Sequence, residues 1–305
     1  MVLNRRLFLV VAAPVAAAGL ALSAFAQPAA APAPRQPAPQ APVTIRPLKP
    51  GLYMVTGGGG NSTVRVTADT VILVDGKNNA QPVYDALLAQ IRTVTDKPVK
   101  YLFVTHHHPD HSGNDQRFLD AGAQVIGSDD LKTIIATYTP NPNQVRSAAP
   151  TVTFAREYRL AEGGALALAS HDRGGHTGGD IMVYFPDLKA VATGDQLVVD
   201  GVPNIDNVNG GSALGWQHNL GELLKLDFDI AVPGHGDRPM TKAEVAAFKR
   251  KVDTLIERGR AAVKAGVPKE QLLAAIRTDD LGWTINAPPW TTPARLDRLY
   301  AELSN

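Results

Sequence analysis

The sequence predicts an α/β fold: two sheets packed face to face, with helices on their outer surfaces. Three observations predict it. Apolar runs of strand length alternate with helical spacing of apolar positions in both halves of the chain. Some ~260 residues follow the N-terminal region, enough for one sizeable core without a split into further domains. Histidines and aspartates recur in glycine-rich loops beside the strand-like runs, which places them along one open edge of such a scaffold.

In order along the chain, residues 51–56, 62–67 and 70–74 read as an antiparallel meander. β-Branched residues alternate or mass there, with turns at 57–60 and 68–69. Residues 82–92 read as an amphipathic helix, 99–104 as a buried strand, 113–120 as a short helix, 123–126 as a strand and 129–137 as a helix. The second half repeats the style, with strands near 151–154, 165–169, 181–185, 190–193 and 230–232 and a helix at 214–226. Helical spacing returns at 242–264, 269–277 and 292–303, and Thr241 with Glu244 forms a capping box at the first of these. This helical tail is read as covering a sheet face.

The N-terminus reads as an address. Asn4-Arg5-Arg6-Leu7-Phe8-Leu9 precedes an alanine-rich apolar stretch and then Ala24-Phe25-Ala26, a small-x-small cleavage pattern. Residues 1–26 are therefore read as a bacterial export signal of the twin-arginine type, which gives a periplasmic location and no stable membrane association after cleavage. An ordinary secretory signal and an uncleaved anchor are the competing readings; Phe8, Leu9 and the weakly apolar alanines favour the twin-arginine one. Residues 27–42 are rich in alanine and proline and almost free of charge, an extended spacer ahead of a single domain at 43–305. Removing Arg5 and Arg6 with the signal takes the basic count from 30 to 28 against 29 acidic residues, so the formal charge falls from +1 to −1. No basic tract offers a nucleic-acid surface, and a small molecule is the expected partner. With no cysteine, neither disulfides nor thiolate ligands are available.

The chemistry-bearing segment is Thr105-His106-His107-His108-Pro109-Asp110-His111, directly after the apolar run 99–104. Further on stand His176 in Gly174-Gly175-His176-Thr177-Gly178-Gly179-Asp180, Asp195 in Thr193-Gly194-Asp195, and His235 in Pro233-Gly234-His235-Gly236. Imidazole nitrogens and carboxylates are the ligands a borderline ion such as zinc takes. In an extended segment alternate side chains share a side, so His106 and His108 face one ion while His107 points away. The assignment is His106, His108 and His176 on a first metal, Asp110, His111 and His235 on a second, and Asp195 bridging both. Two ions about 3.5 to 4 Å apart can share a water, lower its pKa towards neutrality and clamp the oxygens of an attacked group.

The ordered set His-x-His-x-Asp-His, Gly-His-Thr, Gly-Asp and Pro-Gly-His-Gly resembles the metallo-β-lactamase superfamily over roughly residues 50 to 250, with every ligand position of its dinuclear pattern filled. The resemblance implies a four-layered αββα sandwich. It also implies a catalytic domain at 43–305, holding two zinc ions with iron or manganese as alternatives. The expected activity is a hydrolase whose metal-bridging hydroxide attacks an ester, thioester, lactone or β-lactam carbonyl, with Asp110 as catalytic residue orienting the nucleophile and passing on its proton. True β-lactamases of this type carry cysteine or serine where Asp195 stands, so the pattern is more similar to the glyoxalase II, lactonase and general hydrolase branches. An iron-dependent oxidoreductase of the same fold, similar to persulfide dioxygenases, is the alternative, because nitrogen and oxygen ligands alone do not separate zinc from iron. A non-catalytic binding protein is the third reading.

Other residues have duller readings. Asp75 is either a partner orienting a metal-bound histidine or a turn aspartate before Gly76. His171 is expected on the rim near His176, His218 on a helix, and neither as a ligand. The tract Gly57, Gly58, Gly59, Gly60 is read as a hairpin turn able to flap over a substrate. Asn209-Gly210-Gly211-Ser212 is read as a helix cap in preference to an anion site. Trp216, Trp283 and Trp290 are expected in core or rim packing.

Overall fold

Thr44–Lys49 (β1), Leu52–Thr56 (β2), Ser62–Val66 (β3) and Val71–Val74 (β4) pair antiparallel in chain order. Val99–Phe103 (β5), Gln124–Ser128 (β6) and Val152–Phe154 (β7) then extend the same sheet in parallel. Parallel neighbours need crossovers. These are Gln81–Arg92 (α1), the short Pro109–Ser112 (α2) with Asp115–Asp120 (α3), and Asp129–Thr137 (α4). The second sheet holds Glu157–Glu162 (β8), Ala165–Ser170 (β9), Met182–Phe185 (β10), Ala190–Ala192 (β11), Ile230–Val232 (β12) and Met240–Thr241 (β13). It is antiparallel except for β11 and β12, which are parallel and joined through Ala213–Lys225 (α5). Lys242–Lys264 (α6), Leu272–Ala275 (α7) and Pro293–Leu303 (α8) follow. This computed structural model describes residues 41–140, 144–199, 201–202 and 204–305. The export signal read at 1–26 and nearly all of the spacer at 27–42 lie outside the described residues.

Period-two alternation sorts the side chains into layers. Ile72 and Val74 on β4 and Phe103 on β5 face the second sheet, meeting Ala167, Val183, Phe185 and Ala192 in a buried inter-sheet cluster. Their neighbours Val71, Leu73, Leu102 and Val104 turn the other way, against Leu87 and Ile91 of α1, Phe118 of α3 and Leu131 of α4. On the far face of the second sheet Val191 and Ala231 meet Trp216 and Leu220 of α5 and the apolar stripe Val245, Phe248, Val252, Leu255 and Ile256 of α6. Three apolar interfaces between four layers make the αββα sandwich that the sequence predicts. Trp283 and Trp290 are buried in the α5–α6 cluster, and the helical tail covers this sheet face as expected.

The departures are local. β1, β8 and β13 are absent from the expected strands, and all three are sheet edges. An edge strand has one neighbour and a weak apolar pattern, and β1 even carries Pro47, which an edge tolerates. The metal loop contains a helical turn, α2, and the expected helix at 113–120 starts only at Asp115. The expected helix at 269–277 is a 3-10 turn, Lys269–Gln271, followed by the short α7. The capping box at Thr241 forms in full. No helix among the described residues is long and apolar enough to cross a membrane.

The layering fixes a ranking of substitutions. Phe103→Ala, in the inter-sheet cluster, is expected to lower the unfolding free energy by about 3–5 kcal/mol. Thr241→Ala, removing the cap of α6, is expected to cost about 1 kcal/mol. Urea denaturation of the two variants checks it, and comparable losses would contradict the placement of Phe103.

Candidate metal centre

The centre is built where parallel strands end. Asp75 follows β4 and the segment Thr105 to His111 follows β5, while Asp195 follows β11 and His235 follows β12. Parallel pairs aim their carboxyl ends at the same edge, so both sheets deliver these loops to one place. His176 joins them from the connection between β9 and β10. Asp110 and His111 ride the single turn of α2, which Pro109 starts and His108 caps.

All seven expected ligands converge. The donor atoms of His106, His108, His176 and Asp195 lie within 4.8 Å of one another, and so do those of Asp110, His111 and His235. His176 Nε2 is 2.9 Å from His108 Nδ1, and His111 Nε2 is 3.3 Å from His235 Nε2. Asp110 Oδ2 is 3.1 Å from His235 Nε2. Asp195 reaches both groups, with Oδ2 3.4 Å from His176 Nε2 and from His235 Nε2, and Oδ1 3.2 Å from His111 Nε2. Two glycines make this close approach possible. A Cβ on Gly234 would stand 2.0 Å from Asp195 Oδ1, and one on Gly60 would stand 2.2 Å from the His111 ring.

The outward ring nitrogens decide what the inward ones offer. His111 Nδ1 donates to Asp75 Oδ2 at 2.8 Å, His176 Nδ1 to the Asn204 carbonyl at 2.7 Å, and His108 Nε2 to Asp206 Oδ2 at 3.1 Å. The Thr105 hydroxyl donates to Asp75 Oδ2 at 2.8 Å, so it accepts from His106 Nδ1 at 3.0 Å. An oxygen that takes the outer proton leaves the inner nitrogen with a lone pair, as metal-binding histidines require. His106 Nε2 and Asp195 Oδ1 are buried with no hydrogen-bond partner; the 3.2 Å approach of Asp195 to His111 lacks hydrogen-bond alignment. Lone pairs facing one another at 2.9 Å repel unless something positive lies between them. The donors present therefore fit divalent cations, with nitrogen and oxygen only and no sulfur.

Charge follows the same division. Burial, with His111 and His176 nearby, holds His106 well below the usual histidine range, and burial also lowers His176. Burial would lower His111 too, but Asp110, Asp195 and Asp75 outweigh it and raise it well above that range. Burial likewise opposes protonation of His235, and its hydrogen bonds to Asp110 and Asp195 overcome this, raising it to about 9. Asp195 and Asp110 stay ionised: burial pushes each carboxyl up, and the neighbouring histidines pull it below the usual range.

Of the residues outside the set, His107 turns away from the first group as expected. It packs on Tyr138 at 5.0 Å between ring centroids, and burial lowers it to about 3. It does stand with His108 and Asp206 in a third group of close donors. Asp75 is the orienting partner and not merely a turn residue. His171 is buried, not on a rim: it bonds the Asp180 carbonyl and Asp130. His218, on α5 as expected, pairs with Asp172 and lies outside the donor groups. Ser212 caps α5, and the anion at that helix end is the chain's own Glu302. The glycine tract is a hairpin turn, as expected. Gly60 N donates to Asp110 O, Asn61 N to Gly234 O, and the buried Lys77 ammonium to Gly60 O, which ties the Gly60 end of the tract to the centre. Sequence reasoning missed Asp206, Asn204 and Lys77, since none sits in a motif.

With this geometry in place, comparison with known proteins gives the class and then the family. Solved structures share the fold. A metallo-beta-lactamase from Pontibacter korlensis superposes with TM-score 0.60 at 21% identity, over 69% of this chain and 99% of that one. A stereoselective inverting sec-alkylsulfatase from Pseudomonas sp. superposes with TM-score 0.61 at 17% identity, over 85% of this chain and 47% of that one. Residues 55–235 match the metallo-beta-lactamase superfamily, and the chain belongs to it. A hydroxyacylglutathione hydrolase from Brucella anthropi is 31% identical over 133 residues, 43% of this chain and 45% of that protein. The Brucella abortus hydroxyacylglutathione hydrolase is 30% identical over a stretch of the same size. The chain thus spans a little under half the length of the curated relatives it matches.

The carboxylates around His111 and His235 raise both above the usual histidine range, so a cation binding there competes with protons. Calorimetric titration with Zn²⁺ at neutral pH is expected to give heats that depend on the buffer's ionisation enthalpy, with affinity falling as pH falls. Heats independent of buffer would contradict this charge assignment.

Proposed function

We propose that this protein is a dinuclear metallo-hydrolase that uses water to cleave the bond between an acyl carbon and its O, S or N leaving group, in an ester, thioester, lactone or lactam, with zinc as its cation. The observation that carries the reading is Asp195, one carboxylate reaching the donor atoms of both groups. Two divalent ions at such donors supply Lewis acidity and a water that ionises near neutral pH. Everything else falls to the chain. Asp195 and the five histidines hold the donor geometry. Asp110, whose side chain is 31% exposed while His111 beside it is fully buried, faces the opening and is placed to orient the attacking water and to hand its proton to the leaving group.

Space for a substrate lies on both sides. A cleft of about 440 Å³ opens beside His108 and Asp110, walled by Tyr138, Asn209 and Arg295. Another of about 570 Å³ opens beside His235, walled by Gly58, Gly59 and Pro42. The name of the Brucella relatives specifies an acylated glutathione, which favours carbonyl over phosphoryl or sulfuryl substrates. We also propose that the enzyme acts after export, and that Arg5→Lys with Arg6→Lys retains it in the cytoplasm; cell fractionation showing normal export of that variant would overturn the twin-arginine route.

Elemental analysis of the purified protein beside a hydrolysis panel tests the function. About two zinc ions per chain with turnover of an acyl probe is the expected result; iron with no hydrolysis would overturn it. His108→Ala and Asp195→Ala are each expected to lose metal and turnover together, and full turnover in either variant would also overturn the reading.

A further inference from the structure

Asp206 is buried beside the centre in a loop whose described residues belong to no strand of either sheet and include a 3-10 turn at Asn207–Asn209. What fixes that loop comes from the far end of the chain. On α8, Arg295 Nη1 donates to Asn204 Oδ1 at 2.5 Å and to Ile205 O at 2.9 Å, and Nη2 lies 3.5 Å from Asp206 Oδ1. One turn on, Arg298 donates to Asn207 O at 2.7 Å. One turn further, Glu302 accepts from Ser212 and from the Ala213 and Leu214 amides. Positions 295, 298 and 302 share one helix face, so α8 grips the segment from 204 to 214 along its length.

The inner side of the same loop holds two histidines of the first donor group. The Asn204 carbonyl takes the His176 Nδ1 proton, and Asp206 Oδ2 takes that of His108 Nε2 while also accepting from Asn209 Nδ2 at 2.7 Å. The second group is held differently. His111 is oriented by Asp75 from β4, and Asp110 and His235 bond each other. We infer that α8 is a positioning element for the first group alone, and that Arg295 sets the orientation of His108 and His176 through Asp206 and Asn204. This rests on the reading of the two groups as cation sites. A buried carboxylate that orients a histidine needs a fixed counter-charge, or it turns towards water and takes the ring with it. A guanidinium fork that binds two oxygens of one residue pair and faces a third supplies both charge and direction, which a lysine ammonium matches only in part.

The test isolates each group in the full-length protein. In a His235→Ala background only the first group is complete, and in a His176→Ala background only the second. Adding Arg295→Ala is expected to weaken Zn²⁺ binding by about 10–100-fold in the first background, the usual loss when a ligand's hydrogen-bond partner is removed. In the second background affinity is expected to stay unchanged. Arg295→Lys should recover part of the loss, and the Co²⁺ absorption spectrum of the first group should shift with Arg295→Ala. Asp297→Asn, on an exposed face of α8, should alter neither background. Equal losses in both backgrounds, or none in the first, would overturn the inference. If Arg295→Ala does not fold, Asp206→Asn takes its place: it keeps an oxygen for His108 and removes the charge that Arg295 faces. Unchanged first-group affinity and Co²⁺ spectrum in that variant would equally overturn it. Failure of both parent backgrounds to bind Zn²⁺ would refute the metal centre itself, a result distinct from any of these.

Discussion

Asp75 accepts three hydrogen bonds on two oxygens, from the Thr105 amide, the Thr105 hydroxyl and His111 Nδ1. Through the first it fixes where the chain turns after β5. Through the second it sets the hydroxyl that orients His106, and through the third it aims His111 into the other group. One carboxylate thus positions a histidine in each half of the centre. Its own backbone sits at φ 65°, a left-handed conformation that a non-glycine residue adopts at a cost of about 1–3 kcal/mol, held there by the Asp75 amide bonding Phe103 O. Strain of this kind persists only where the surroundings over-determine it, and here the neighbouring parallel strands do so.

Lys77 is the complement to Asp75. It is fully buried, and its ammonium donates to Val55 O and Gly60 O, tying the glycine tract to the strand behind it. Burial lowers its pKa to about 7, against the charges of Asp75 and Asp110, which favour the ammonium. The second sheet contributes through its single parallel pair, since only there do two strand ends, before Asp195 and His235, face the first sheet's loops. Neither sheet carries a complete donor group: His106 and His108 after β5 need His176 and Asp195 from the second sheet, and Asp110 and His111 need His235. A cation held by either group would therefore depend on how the two sheets pack against each other.

The sequence made the ligands legible because each needs a fixed residue type at a fixed distance from a strand end, and spacing is visible without coordinates. The central strands were legible for a related reason: buried on both faces, they read as apolar runs. β1, β8 and β13 were not, because an edge strand lives half in solvent and its pattern carries little. Asp206 and Arg295 were invisible for a different reason. They stand 89 residues apart, and their roles exist only through contact, which no local spacing encodes. His171 was expected on the rim near His176, yet hydrogen bonding to the Asp180 carbonyl lets its polar side chain sit inside.

The stretch shared with the superfamily, residues 55–235, holds every donor, Asp75 and most of the cleft walls, but not all of them. One cleft is walled by Arg295 from α8, and the other by Pro42 ahead of β1, whose carbonyl packs against Gly57 closely enough that a Cβ there would stand 2.2 Å away. A donor set activates water for any electrophile it can reach; the shape and charge of the walls decide which one reaches it. In this chain Arg295 and Pro42 reach the clefts from outside that stretch, beside walls such as Tyr138, Asn209, Gly58 and Gly59 that lie within it. Arg295 does both kinds of work, walling a cleft and holding the loop that touches His108 and His176, so the shape of the walls and the geometry of the donors meet at one residue.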